Sequence, residues 1–494
     1  ETGTHAPLTG GFSWASQNGK PAFGLEMRGA YADLSFLAGL EARAKDVSAW
    51  GFSTLDGNFV LLVDDLKYRG LRYGDVNVSA NVKDGVLSIV QAAAHDASAG
   101  TAAEGQSADT RVSVSGVLTS LSPQFVGDLS GVLNAPLAMT LAEDYLGRSL
   151  ASAEAGMLTF RLQGSREQEG QENGSSPEDE DEIRLDVEGK VDGADVTLRA
   201  RERRADGTAP RMEFSLKIGD PGSSLLPGLL HLPAGAVVED GELLLTMVGD
   251  RTRTMETALL YRVAGAALSL KGDVANPFDA AHFVGRFEAK ADTYARLAHQ
   301  FSLTGRLSDL VAANGRDGAV LATGDVEWQA SQLAVRQAEA VAGSFRVSGA
   351  AQVDWREARP VLGATLDLGR VSLAHLFDVE NGASWSAYPL DWAFLGDASG
   401  EFRLTASGVD VAGLALDDVA ATASLEDGVL SFSPITASFG DGRMTMGLKL
   451  EGGAGVPGVG VTLALEDAEL DAATKMVFGA PLAAGTVTGN LQLE

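Results

Sequence analysis

Gly57–Ile89 reads GNFVLLVDDLKYRGLRYGDVNVSANVKDGVLSI, and Gly400–Phe432 reads GEFRLTASGVDVAGLALDDVAATASLEDGVLSF. The two stretches align without a gap at a constant offset of 343 positions. Gly57, Phe59, Leu61, Gly70, Leu71, Asp75, Val76, Ala80, Asp84, Gly85, Val86, Leu87 and Ser88 all meet identical partners. The register keeps glycines and turn acids as well as apolar residues, which marks a β-rich unit used twice and predicts an elongated repeat. The match extends upstream with small shifts. Lys20-Pro21-Ala22-Phe23 answers Arg359-Pro360-Val361-Leu362, and Trp50-Gly51-Phe52 answers Trp392-Ala393-Phe394.

Outward from these repeats the chain alternates with period two. Phe402, Leu404 and Ala406 alternate with Arg403, Thr405 and Ser407. Val419, Ala421, Ala423 and Leu425 do the same before Asp427-Gly428, a pair that supplies the positive φ of a type I′ hairpin turn. Leu430 and Phe432 resume the apolar face. Asp441-Gly442 reads as the next turn, followed by Met444, Met446, Leu448 and Leu450, then Val459, Val461, Leu463 and Leu465. Successive hairpins of this kind predict an antiparallel sheet with one apolar and one wet face. Strands are also predicted over 335–355, with a turn at Gly343-Ser344, and over 242–248, 258–263, 267–274, 183–187, 196–201 and 212–218. Short helices, read as caps on the sheet, are predicted over 33–44, 136–150, 278–284, 292–299, 371–377 and 470–478. Ser165–Glu182 (SREQEGQENGSSPEDEDE) reads as a disordered acidic hairpin loop.

Composition supports a β repeat. Among 494 residues, 45% are hydrophobic but only 6% aromatic, and 59 Gly stand against 15 Pro. That mixture suits many short strands joined by glycine turns. There is no Cys, which excludes disulfides, thiolate metal sites and cysteine nucleophiles and is compatible with the periplasm. A net charge of −29 without a basic stripe excludes nucleic acid and disfavours broad docking on anionic lipid. No run of eighteen apolar residues spans a bilayer. Glu1-Thr2-Gly3 reads as an expression-vector remnant, and the last strand, 485–494, as the cut end of a longer protein. The expected organisation is a first repeat region over 4–150, a middle β region over 151–330 and a C-terminal repeat region over 331–494.

Little in the chain carries catalytic chemistry. His5, His95, His231, His282, His299 and His375 have no metal-ligand spacing. No nucleophile elbow, phosphate loop or dinucleotide fingerprint falls on a strand–helix junction. The pairs Asp64-Asp65, Glu143-Asp144 and Asp417-Asp418 fall mostly near turns, where Asp bonds its own backbone. The expectation is a protein that is not an enzyme and has no metal or cofactor. The distinctive feature is the apolar face. Left open as a groove, such a face suits a long apolar ligand such as an acyl chain. Its expected lining is Phe59, Leu61, Val76, Val78, Val82, Leu87 and Ile89 in the first repeat. In the second it is Phe402, Leu404, Leu425, Leu430, Phe432, Met444, Met446, Leu448, Val461 and Leu463.

The segment 371–465 resembles the AsmA family of bacterial envelope proteins. The resemblance rests on Trp385-Ser386, Pro389-Leu390-Asp391, the strand 401–406, Leu425-Glu426-Asp427-Gly428-Val429-Leu430, and Phe439-Gly440-Asp441-Gly442-Arg443-Met444. Arg359-Pro360-Val361-Leu362 with Leu366-Asp367-Leu368 is similar to the family's approach to this block; Asp441 stands where a second Gly is common. The resemblance covers about a hundred residues, and the stretch 156–331 is similar only in texture. It implies a periplasmic β body anchored in the inner membrane by an N-terminal helix that this chain lacks. It also implies a curved, taco-shaped sheet whose hydrophobic groove carries phospholipid toward the outer membrane, with envelope proteins as possible partners. No catalytic residue is implied. Two other classes fit a β repeat: an assembly factor for outer-membrane proteins acting through strand edges, and a surface adhesin.

Overall fold

The computed structural model describes residues 8–17, 20–33, 56–68, 71–96, 111–120, 125–136, 138, 156–166, 180–205, 209–220, 241–277, 280–300, 311, 314–315, 318–356, 359–373, 393–411, 414–452, 458–471, 474 and 484–493. The fold is mainly β, built from meanders. The chain forms two compact units, Glu1–Leu232 with Asp240–Arg251, and Pro233–Glu239 with Thr252–Glu494.

The first unit holds β1 (Thr9–Gln17), β2 (Lys20–Asp33), β3 (Asp56–Tyr68), β4 (Leu71–Lys83), β5 (Val86–Asp96) and β6 (Arg111–Ser120). It continues through β7 (Val126–Asn134), β8 (Gly156–Arg166), β9 (Glu180–Val191), β10 (Ala194–Ala205), β11 (Arg211–Asp220) and β12 (Gly241–Asp250). The second unit holds β13 (Thr254–Val263), β14 (Ala266–Ala275), β15 (His282–Ala291), β16 (Val320–Gln329), β17 (Gln332–Ala342), β18 (Phe345–Asp354) and β19 (Val361–Ser372). Then come β20 (Ser399–Val411), β21 (Leu414–Glu426), β22 (Val429–Phe439), β23 (Gly442–Glu451), β24 (Gly458–Glu469) and β25 (Thr486–Leu493). Helix α1 (Tyr294–Gln300) follows β15, and a 3-10 turn (Ala393–Asp397) precedes β20.

Among the described residues, each strand within a unit pairs with its chain neighbour, and the pairing is antiparallel with one exception per unit. β2 runs parallel to β3, and β19 runs parallel to β20. Uniform antiparallel pairing was expected, and these two pairs correct it. Alternation is the same in both orientations, so only the long connections 34–55 and 373–398 hint at the crossover a parallel pair requires.

The two parallel pairs sit at the same place in the two repeats. Phe59 pairs with Leu25, and Phe402 with Ala364. Both hairpins after them turn on Asp-Gly with positive φ: 50° and 83° at Asp84-Gly85, 50° and 79° at Asp427-Gly428. A basic side chain reaches each turn, Lys20 at the start of β2 to Asp84 at 2.7 Å and Arg359, two residues before β19, to Asp427 at 3.4 Å. Lys20 holds the Asp84 carboxyl below its ordinary value by hydrogen bond and charge. Asp75 and Asp418, 343 positions apart, both adopt the left-handed region, at 49° and 51°. Each lies where the register of its strand against the next one slips, between Gly74 and Asn77 and between Asp417 and Ala420. A second slip follows in the partner strands, between Ile89 and Ala92 and between Phe432 and Ile435. The repeat therefore conserves its β-bulges along with its turns.

Other expectations need local correction. The turn after β22 is Gly440-Asp441, because Phe439 pairs with Gly442; the acid takes the second turn position. Residues 282–284, expected to end a helix, open β15 instead, where Phe283 faces Val274 and Trp328. Val371 and Ser372 close β19 rather than starting a helix. The acidic loop is shorter at both ends than expected, since Ser165 and Arg166 pair with Glu182 and Asp181; residues 167–179 lie outside the described residues. Helix α1 falls on the segment read as helical over 292–299, with Thr293 Oγ1 accepting from the Arg296 amide at 3.2 Å. Most of the helices expected over 33–44, 136–150, 371–377 and 470–478 lie outside the described residues.

Candidate functional site

Directly paired residues of neighbouring strands project from the same side of a sheet, so the strand register assigns each paired side chain to a face. In the second unit one row runs Leu366–Leu404–Ala421–Ile435–Met446–Leu463–Leu491 across β19 to β25. The next row runs Ala364–Phe402–Ala423–Phe432–Leu448–Val461–Leu493. A third, shorter row holds Gly400, Leu425, Leu430, Leu450 and Val459, and Met444 pairs with Ala437 and Leu465 on the same side. All ten lining residues expected in the second repeat thus share one face. On β13 to β16 a similar row reads Leu259–Leu270–Phe287–Gly324.

The first unit repeats this arrangement. Phe12, Leu25, Phe59, Ala80, Ile89, Gly116, Leu129, Leu162, Leu185, Ala200, Phe214 and Met247 form one row across all twelve strands. Leu61, Val78, Ala92, Val114, Gly131, Phe160, Val187, Leu198, Leu216 and Leu245 form its neighbour. All seven expected residues of the first repeat lie on this face. The stretch 156–248, whose likeness to the repeats was one of texture, carries the rows without a break within the unit.

Burial along the face is uneven. Leu61, Val76, Val82, Leu425, Met444 and Leu463 are buried, whereas Phe59, Val78, Leu87, Ile89, Phe402, Leu404, Leu430, Phe432, Met446, Leu448 and Val461 are half-buried. The buried members belong mainly to clusters towards strand ends, such as Val63, Tyr73 and Val76 in the first unit and Phe439, Met444 and Ala468 in the second. Leu395 of the 3-10 turn packs on Leu425. Most members of the middle rows are left half-exposed, with Leu61, Ala423 and Leu463 buried. Phe12 and Trp14 of β1 are strongly exposed, at 66% and 60%.

The opposite face is ionic. Arg161 donates to Asp128 at 2.7 Å, holding that carboxyl below its ordinary value, and pairs in register with Asp186. Arg199 meets Asp186 and Glu188, Arg286 meets Asp325, and Arg336 meets Glu327. Two hollows of about 500 and 350 Å³ in the second unit are lined mostly by this face, among them Arg336, Gln352, Arg403, Thr445 and Asn490. They lie where β17 and β22 bulge, at Val335/Ala338 and Phe432/Ile435.

Some apolar-face residues escape simple alternation. Leu430 and Phe432 occupy even positions, but Ile435, Ala437 and Phe439 occupy odd ones, because the bulge at Ser433-Pro434 flips the phase. Val90-Gln91 does the same before Ala92 and Ala94. A jump from even to odd apolar spacing at matched positions of the two repeats was the available signal.

Among the described residues no group of three or more His, Asp or Glu side chains is placed to hold a metal ion. His282 Nε2 lies 3.2 Å from Glu327, on the ionic face. No described helix is long and apolar enough to cross a membrane. Comparison with known family models, with curated proteins and with solved structures found no match.

Proposed function

We propose that the protein is an AsmA-like envelope protein whose apolar face binds the acyl chains of phospholipids and conducts them between the inner and outer membranes without covalent chemistry. The observation that carries this reading is the set of rows of Leu, Val, Ile, Phe, Met, Ala and Gly that run across β1 to β12 in the first unit and β19 to β25 in the second, with most of their members half-exposed. A face that only filled a core would be expected to be buried along its whole length. Chain burial contributes about 0.8 kcal/mol per CH₂, and a row of near-equivalent side chains offers equivalent stations, so a chain can move by steps that each cost little. In this reading the body works in the periplasm of a bacterium, and no catalytic residue takes part.

Native mass spectrometry of the chain, purified from the bacterial envelope without detergent extraction, tests the reading. Phospholipid masses on the intact protein are the expected result. A lipid-free mass that also fails to take up added phospholipid would overturn it.

A further inference from the structure

One row of the apolar face contains a charge. Gly57, Val82, Leu87, Leu118, Gly127, Gly164 and Ile183 lead in register to Glu202, and Met212 and Gly249 follow it. A carboxylate among apolar neighbours is costly unless it is paired. Glu202 is 18% exposed and is bracketed by two guanidiniums: Arg204 Nη2 lies 3.6 Å from one carboxylate oxygen and Arg251 Nη1 lies 3.3 Å from the other. Asp181 pairs in register with Arg204, on the same face. Glu202, Arg204, Arg251 and Asp181 line a pocket of about 180 Å³ together with Phe125, Ile183 and Glu182. That is the room of about six water molecules, and Glu202 lies two residues along β10 from Ala200 of the apolar row.

Resting on the lipid reading above, we propose that this pocket takes the zwitterionic, phosphate-bearing head group of the amphiphile whose chains lie on the apolar face. Each guanidinium directs part of its planar fork at Glu202 and keeps further N–H donors for a phosphate, which Arg binds in a bidentate way. Asp181 and Glu202 supply the counter-charge for an ammonium group. Glu182 also lines the pocket but is engaged by Arg184 and Arg201; the remaining two cations and two carboxylates balance, which matches a net-neutral head group. A purely anionic one would gain the arginines but meet both carboxylates and a chain of net charge −29.

The test uses the whole chain and three short-chain probes with identical acyl groups: a phosphatidylethanolamine, a phosphatidylglycerol and a diacylglycerol. The wild type is expected to bind the ethanolamine lipid at least tenfold more tightly than the glycerol lipid. Arg204→Gln with Arg251→Gln removes that preference, while diacylglycerol affinity stays within twofold. Glu202→Gln leaves Asp181 as the one carboxylate balancing Arg204 and Arg251, gives the pocket a net positive charge and shifts the preference toward phosphatidylglycerol. A role limited to holding the strand ends together would not produce that reversal. Equal binding of the two phospholipids by the wild type overturns the inference, as does parallel loss of all three probes in the arginine variant when its far-UV dichroism is unchanged. If diacylglycerol binds but head groups are not distinguished, only the pocket assignment fails. If no probe binds the wild type, the lipid reading fails with it.

Discussion

Replacing Asp418 with Val tests how the bulges hold the apolar face in phase. Asp418 has φ of 51°, a left-handed conformation that Asp and Asn tolerate and that costs an ordinary L-residue about 1–2 kcal/mol, more when the side chain is β-branched. Its φ is matched within a few degrees by Asp75, so Asp75→Val probes the same device in the other unit. A destabilisation of 1–2 kcal/mol changes an opening equilibrium by a factor of about 5 to 30. In a repeat whose strands contact only their neighbours, the loss stays local. Amide hydrogen exchange resolved to peptides should therefore show a 5- to 30-fold loss of protection in β21 and β22 for Asp418→Val, and in β4 and β5 for Asp75→Val. Asp418→Gly keeps the conformation available and should keep most of the protection. If the valine variant exchanges like the wild type, or the glycine variant is as exposed as the valine one, the bulge is not what restrains these strands. A variant that straightened the strand instead would move its apolar residues to the ionic face.

Three further outcomes follow from named positions. Leu404→Asp, on the apolar face, should weaken binding of a fluorescent acyl probe at least tenfold, whereas Thr405→Asp, one residue along on the exposed ionic face, should change it less than twofold; equal effects would contradict the face assignment. Met255, fully buried beside Val274, should cost about 2–5 kcal/mol when cut to Ala, read by urea unfolding. Glu469 has its carboxyl raised above its ordinary value by the charges of Asp471 and Asp441. A raised carboxyl favours the folded state below the ordinary Glu value and loses that contribution as pH rises through the raised one. Glu469→Gln should accordingly stabilise the protein at neutral pH and not at pH 3, which paired denaturant titrations would show.

The strands and the two faces were legible because period-two alternation records which side of a sheet each residue takes. The repeat was legible because Asp75, Asp84 and Gly85 are needed by backbone conformation and so recur as identities. Strand direction was not legible. Leu25 beside Phe59 looks the same to a hydropathy pattern whether β2 runs with β3 or against it. The phase flips at Val90-Gln91 and Ser433-Pro434 were missed because alternation was read only up to Ile89 and Phe432. The helix expected over 278–284 lost to β15, where Phe283 gains partners on both sides. Of the candidate site, the apolar rows could be read in advance, but the ion-paired Glu202 could not. Its partner Arg204 is two residues along the same strand, but Arg251 is forty-nine residues away, and only the pairing of β10, β11 and β12 brings it to Glu202.

Whether acyl chains lie on one face of the sheet can be read by placing a photoreactive amino acid at successive positions of β20 and β23 and measuring crosslinking to phospholipid in the bacterial envelope. Lipid adducts are expected at 402, 404, 446 and 448 and none above background at 403, 405, 445 and 449, an alternation with period two. Adducts of equal yield at neighbouring positions, or adducts confined to the Thr and Arg positions, would contradict it.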